Sequence, residues 1–201
     1  MQQALQEANL SALKLQMNPH FIFNTLNSLK ALGRSGNIKS FEETIVTFAN
    51  LLRSILKGSR ENKLNLKEEI ESLKNYLRLE QHLSQNRFDF EIIVNTNNID
   101  IEEINIPPML IQPFAENAIK HAFKERKGKI TIQIIVKGKY LVISIKDNGI
   151  GFNTETVTLN SYGIKITKER ISNLLSNHLF EISSSNIGTC VSFRIPLLLD
   201  Y

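Results

Sequence analysis

The hydrophobic pattern of the chain changes near residue 86, and this change constrains the fold more than any other feature of the sequence. Before it, glycine and proline are scarce and apolar residues recur at steps of three and four, the spacing of amphipathic helices. After it, apolar and polar residues alternate and β-branched residues are frequent, which is typical of strands. The sequence therefore predicts a helical first part and a mixed second part.

The first part is predicted to contain a helical hairpin and a third helix. An apolar seam in the first helix consists of Leu5, Ala8, Ala12, Leu15, Ile22, Leu26 and Leu29. A glycine-containing break at 33–36 precedes a second helix at 40–57, and the capping box of Asn65 and Glu68 opens a third helix that ends near residue 86. Because a hairpin leaves apolar surface open, we expect a homodimer that buries it in a four-helix bundle.

The second part is predicted to be an α+β sandwich with helices on one face of a mostly antiparallel sheet. Helices are expected from Pro107-Pro108 to about residue 124 and at 164–176. Strands are expected at 88–94, 129–136, 140–146, 180–183 and 189–195.

Composition excludes several classes of protein. The 201 residues are 42% hydrophobic and 22% charged, and the net charge is +4 without a basic run, so nucleic-acid binding is not indicated. No apolar stretch reaches the ~18–20 residues that span a bilayer, and the N-terminus lacks a signal-peptide core. We therefore expect a soluble, cytoplasmic chain. The single cysteine, Cys190, is interpreted as a small buried residue of a strand.

His20 is the first candidate functional residue. It lies about 160° around the helix from Ile22, on a polar stripe with Asn24 and Asn27, so it should face solvent beside a kink at Pro19. A neutral exposed imidazole can attack an electrophilic phosphorus. An ordinary surface histidine fits the same stripe.

A second candidate site is the polar face of the helix predicted around 107–124. Asn117, Lys120, His121 and Lys124 fall at helical spacing and combine an oxygen ligand with cationic groups and a donor. Such a face could hold a metal-bound triphosphate, because Mg²⁺ needs few protein oxygens when phosphates and water complete its shell. A solvated charged face is the alternative.

Two glycine-containing segments complete the candidates. Asp147 follows a predicted strand and precedes Gly149 and Gly151, so a carboxylate acceptor lies beside backbone that a flat ring or phosphate can approach. Gly163 with Ile164 opens a predicted helix, whose N-terminus favours anions, and Thr189 begins the last strand. Either segment alone could be a simple turn.

In order along the chain, these segments resemble the catalytic core of bacterial two-component sensor histidine kinases of the LytS/YehU-like class. The most specific matches are LKLQMNPHFIFNTLN, similar to the phosphoacceptor box, and PPMLIQPFAENAIKHAF, similar to the N box. The resemblance implies a dimerization and phosphoacceptor hairpin at 1–60, a connecting helix at 61–86 and a Bergerat-type ATP-binding domain of the GHKL class at 87–201.

The resemblance also implies roles for individual residues. His20 would receive the γ-phosphoryl group of ATP, and Asn24 matches a position that orients water for dephosphorylation of a partner in related families. In the ATP site, Asn117 would ligate Mg²⁺ and Glu116 would position groups or act as general base. The remaining nucleotide-binding positions by this match are Lys120, His121, Asp147, Gly149, Gly151, Gly163, Ile164 and Thr189.

Implied partners are a second copy of the chain and the receiver domain of a response regulator, of the LytTR type. The chain would be the cytoplasmic part of a larger membrane protein. It departs from the class in the lid, where Ser161 replaces a glycine and Ile166 follows Gly163 in place of an asparagine. Two alternatives remain: an ATPase clamp like those of MutL and type II topoisomerases, in which Glu116 activates water, and a dimeric signalling adaptor without catalysis.

Overall fold

The computed structural model describes residues 19–61, 63–123, 127–152 and 179–199. The chain forms two compact units. The first comprises residues up to Gln85 together with Ile106–Met109, and the second comprises Asn86–Asn105 and the residues from Leu110 onward. The finer division at residues 60 and 86 stays a prediction.

The first unit is helical. Helix α1 (Pro19–Ser35) and helix α2 (Ile38–Gly58) flank Gly36, whose φ of +70° belongs to the left-handed region that glycine adopts without strain. The Asn37 side chain accepts a hydrogen bond from the Ser40 amide at 3.2 Å and caps α2. Strand β1 (Leu64–Asn65) leads into helix α3 (Leu66–Leu83), which the Asn65 side chain caps at the Glu68 amide (2.9 Å). The hairpin and the third helix are thus confirmed in position.

The core of the first unit is built from one face of each helix. Phe21 of α1 contacts Tyr76 of α3 with ring centroids 5.3 Å apart, and Leu51 of α2 is fully buried. Burial of each such side chain contributes about 1.5–3 kcal/mol. Of the predicted seam, Leu5, Ala8, Ala12 and Leu15 lie outside the described residues. Its described part is only partly buried, since Leu29 is 7% exposed and Leu26 is 48% exposed. The reason is that Phe21 shares a face with Leu29 and turns that face, not the Leu26 face, toward the unit's own core.

The second unit is a mixed sheet with helix α4 (Gln112–Ala122). The sheet order is β2-β4-β5-β7-β6, with β2 parallel to β4 and the other neighbours antiparallel. These strands are β2 (Phe88–Asn95), β4 (Gly128–Lys137), β5 (Tyr140–Asp147), β6 (Leu179–Ser185) and β7 (Gly188–Pro196). Two short strands that the sequence did not predict, β3 (Ile104–Ile106) and β8 (Leu198–Leu199), pair antiparallel. The α+β fold class is confirmed.

Helix α4 begins later than the sequence predicts. Pro107 and Pro108 precede the helix, and the proline of its first turn is Pro113. Met109 has a φ of +53°, which interrupts a right-handed helix, and its amide donates to Oε2 of the buried Glu69 at 2.9 Å. This contact joins residues 40 positions apart, so no local pattern could predict it. The helix predicted at 164–176 lies outside the described residues.

Within the described ranges, no helix has both the length and the hydropathy needed to cross a bilayer.

Candidate functional site

Asp147 is the centre of a polar cluster at the end of β5. Its side chain is 5% exposed, and its Oδ1 accepts hydrogen bonds from the amides of Gly149 (2.9 Å) and Thr189 (3.2 Å). A carboxylate that accepts two backbone N–H groups is held in one orientation. The structure thus brings together three residues that lie in two separate segments of the sequence.

Close backbone approach explains the glycines around Asp147. A Cβ atom on Gly149 would collide with Cβ of Ala122 and lie 2.6 Å from its carbonyl oxygen. Gly188 has a φ of +134°, and a Cβ there would collide with the carbonyl oxygen of Asp147. Gly151, at φ +61°, lies against the carbonyl oxygen of Ser185. The predicted Gly149 and Gly151 therefore lie in one tightly packed loop, and Gly188 at the start of β7 packs against the residue that precedes this loop.

Substitution of Gly149 by alanine tests this packing. We expect the change to push the loop away from Ala122 and to lower the free energy of unfolding by about 1–3 kcal/mol. It should also weaken, by more than tenfold, the nucleotide binding that the histidine kinase resemblance implies. Titration with Mg²⁺-ATP and denaturant unfolding measure the two effects. The matched control is Gly138→Ala, where a Cβ meets nothing within 4 Å and φ is +60°. That variant should lose only about 1–2 kcal/mol of stability, because alanine is strained at this φ, and should bind nucleotide normally.

The same loop is bound to the end of helix α4. The Ile150 amide donates to the carbonyl oxygen of Ala122 at 3.3 Å, which satisfies one of the terminal carbonyls of the helix. Asn148 fixes the other side, because its Oδ1 accepts from the Lys129 amide at 2.7 Å. The last turn of α4 and the Asp147 loop are therefore neighbours.

Helix α4 presents one apolar and one polar face. The apolar face packs through Phe114 on Phe193 of β7, with ring centroids 5.2 Å apart. The polar face carries the predicted residues: Glu116 and Asn117 are half-buried, and Lys120 and His121 are exposed in the last turn. Cations in the last turn also suit the helix dipole, which is negative at that end.

The donor set of this face fits a magnesium ion that is bound mainly through phosphates. Among the residues that the structure describes, no group of three or more His, Cys, Asp or Glu side chains could hold a metal by itself. An amide oxygen such as that of Asn117, supplemented by water and phosphate oxygens, is a sufficient set for Mg²⁺. The residues present therefore fit a metal that arrives with its nucleotide.

The remaining predicted site residues lie in the first unit or outside the described residues. His20 and Asn24 lie in α1 of the first unit, and the Asn24 side chain is exposed. Ser161, Gly163 and Ile164, like Lys124, lie outside the described residues.

Cys190 lies beside Thr189 on β7 and is half-buried, less deeply than the sequence suggests. Burial raises the pKa of its thiol, the charge of Asp147 adds to this, and Lys146 opposes it. The thiol therefore stays protonated at neutral pH, when it is a weak nucleophile.

Ser184 also belongs to the cluster, although the sequence does not indicate it: its hydroxyl accepts a hydrogen bond from the Phe152 amide at 2.9 Å and lies 3.0 Å from Oγ1 of Thr189. No local motif marks this serine. Only the register of β6 and β7, which pairs Ser184 with Thr189, places it in the cluster.

Each part of the chain matches a known protein family. Residues 8–88 match the family "Histidine kinase", and residues 107–199 match "Histidine kinase-, DNA gyrase B-, and HSP90-like ATPase". Known structures share the fold: the histidine kinase domain of a blue-light activated kinase of Erythrobacter litoralis covers 96% of both chains with a TM-score of 0.53 and 13% identity. The histidine kinase AdeS of Acinetobacter baumannii gives a TM-score of 0.54 at 16% identity over 83% of this chain and 84% of AdeS. The two family matches, together with the fold, define a histidine kinase core.

Relatives of known name indicate which group of histidine kinases the chain resembles. The sensor protein LytS of Staphylococcus epidermidis is 35% identical over 96% of this chain and 34% of LytS, and that of Bacillus subtilis is 28% identical over the same shares. The chain belongs to the LytS-like sensor histidine kinases. It spans about a third of the length of these relatives.

Proposed function

We propose that the chain transfers the γ-phosphoryl group of ATP to His20 and then to an aspartate of a response regulator. The observation that carries the proposal is the geometry at Asp147: a buried carboxylate, oriented by two backbone amides, in a loop that closely packed glycines hold in place. A carboxylate in this setting accepts a hydrogen bond from an exocyclic amine such as that of adenine. Thr189 and Gly151 border the same pocket in this proposal.

Helix α4 would serve the phosphates. We assign Asn117 as the protein ligand of Mg²⁺ and Lys120 and His121 as phosphate contacts, supported by their common polar face and by the bond between Ala122 and the Asp147 loop. Mg²⁺ supplies charge neutralisation on the phosphate oxygens. The exposed cations of α4 offset further negative charge, since positioning and electrostatics carry most phosphoryl transfer. Glu116 would orient these groups or accept a proton. Gly163 and Ile164 stay proposed lid residues.

The transfer step itself uses the imidazole of His20 as nucleophile. A ring nitrogen attacks the γ-phosphorus, a P–N bond forms, the bond to the bridging oxygen breaks, and ADP leaves with that electron pair. The phosphoryl group then passes from nitrogen to a carboxylate oxygen of the receiver domain, which restores the imidazole. The match of residues 8–88 to the histidine kinase family supports this role.

We further propose that the hairpin forms a homodimer. Large apolar side chains of α1 and α2 remain exposed in the single chain, among them Phe23 at 65%, Val46 at 57% and Leu26 at 48%. A second copy of the hairpin would bury these side chains in a four-helix bundle.

Asn24, exposed on α1, is proposed to orient water for dephosphorylation of the response regulator. In support, the Staphylococcus aureus relative is named a sensor histidine kinase/phosphatase and is 34% identical over 77% of this chain and 26% of that protein. The regulator is proposed to be of the LytTR type, and the chain to be the cytoplasmic part of a membrane-bound sensor.

Incubation with γ-labelled ATP and Mg²⁺ tests the proposed function. We expect label on the protein that survives base and is lost in acid, the stability of a phosphorus–nitrogen bond. An ATPase clamp would instead release labelled phosphate without retaining it, and an adaptor would do neither. Either result would overturn the kinase proposal.

A further inference from the structure

The hydroxyl of Ser184 contacts both the loop that follows Asp147 and the start of β7. Ser184 is half-buried on β6 and lies opposite Thr189 of β7 in the strand register. Its Oγ accepts a hydrogen bond from the Phe152 amide at 2.9 Å, lies 3.0 Å from Oγ1 of Thr189, and lies 3.5 Å from the carbonyl oxygen of Gly188. The hydroxyl thus contacts the loop after Asp147 and the start of the following strand.

The donors and acceptors around Ser184 determine where its proton lies. The Phe152 amide can only donate, so Ser184 Oγ is the acceptor in that contact. A serine has one proton to donate, and 3.5 Å to Gly188 is at the outer limit for an O–H···O bond. Thr189 Oγ1, at 3.0 Å, is therefore the better acceptor of that proton. Thr189 must then direct its own hydroxyl proton elsewhere.

We propose that Ser184 is a positioning residue that sets Thr189 as a hydrogen-bond donor to the nucleotide base and so selects adenine. The inference rests on the proposed ATP site. The Thr189 amide donates to Oδ1 of Asp147, so the residue that carries this hydroxyl donor lies beside a carboxylate acceptor. This pair matches adenine, whose exocyclic amine donates next to ring nitrogen N1, an acceptor. Hypoxanthine presents the reverse, a carbonyl oxygen next to an N1–H group.

The test compares ATP with inosine triphosphate as ligands of Ser184→Ala. Without the serine proton, the Thr189 hydroxyl rotates and can either donate or accept. We expect ATP affinity to fall about tenfold, the equivalent of about 1.4 kcal/mol, while inosine triphosphate affinity stays unchanged or rises. Selectivity for adenine should therefore fall by about tenfold. Titration calorimetry, or displacement of a fluorescent nucleotide, measures both affinities.

Two further variants complete the experiment. Ser183→Ala is the matched control, because Ser183 is exposed and its side chain points to the opposite face of the same strand; both affinities should equal those of the wild type. Ser184→Thr keeps a hydroxyl and should restore the selectivity for ATP. Thermal unfolding without nucleotide checks that each variant is folded.

The outcomes separate this inference from the proposed function. Equal loss of both nucleotides in Ser184→Ala would mean a purely structural role and would overturn the inference, as would unchanged selectivity. If the wild-type protein binds no ATP, the proposed ATP site itself is wrong. A loss of affinity for ATP alone supports both the inference and the proposed ATP site.

Discussion

Replacement of His20 by glutamine is expected to reduce base-stable labelling from γ-labelled ATP to background while Mg²⁺-ATP affinity stays within about twofold of the wild type. Glutamine preserves hydrogen bonding but has no nucleophilic ring nitrogen, and removal of an enzyme's nucleophile can cost on the order of 10⁶ in rate. Nucleotide affinity should not change, because the residues assigned to nucleotide binding lie in the second unit and His20 lies in α1 of the first. Autoradiography after acid and base treatment, with parallel calorimetry, measures both effects.

The matched control for this prediction is His82→Gln. His82 is an exposed histidine in the last turn of α3, within the same unit, so its loss should leave labelling unchanged. Persistent label in His20→Gln would contradict the assignment of the phosphoacceptor. Loss of ATP binding in that variant would contradict the separation of roles between the two units.

Asp147→Asn is expected to weaken Mg²⁺-ATP binding by roughly 100-fold, since a hydrogen bond to a charged group contributes about 1.5–3 kcal/mol and the asparagine amide adds an unfavourable donor. In the wild type, the Gly149 and Thr189 amides both donate to Oδ1 of Asp147. The carbonyl oxygen of asparagine can accept the same two hydrogen bonds. The loop should therefore stay folded while base recognition is lost. Calorimetric titration measures the affinity, and labelling of His20 should fall with it at low ATP concentration.

Two further variants distinguish loss of base recognition from a general loss of negative charge and from a loss of folding stability. Asp147→Ala also removes the acceptor of both amides, so the free energy of unfolding should drop in addition, by about 1–3 kcal/mol. Glu181→Gln removes the same charge from an exposed position of β6 and should change neither property. Wild-type affinity in Asp147→Asn would exclude this carboxylate as the adenine acceptor.

Local signals account for the elements that the sequence located well. The caps of α2 and α3 are formed by Asn37 and Asn65, each of which bonds an amide three residues later, so the cue and the structure lie within one helical turn. The main strands were predicted for the same reason, because side chains alternate between the faces of a sheet. The late start of α4 escaped prediction, since the Met109 backbone is held by Glu69 from a distant part of the chain.

The candidate site also combines residues that local sequence indicates with one that only a distant contact reveals. Asp147, Gly149 and Asn117 could be proposed from the sequence because each lies in a segment that resembles a motif of the histidine kinases. Ser184 could not, because a serine in a strand is ordinary until the register of β6 and β7 brings it to Thr189.

The sequence by itself determined the helical first part, the sheet of the second part and the residue types available for phosphoryl transfer, because periodicity, caps and glycine turns act over a few residues. Only the tertiary structure decided which atoms meet. Strand register and helix packing bring Gly149 and Thr189 to the same oxygen of Asp147, Gly149 against Ala122, and Ser184 to within 3.0 Å of Thr189. Such contacts join residues far apart in the chain, and the free energy that favours them comes from the assembled core rather than from any one segment.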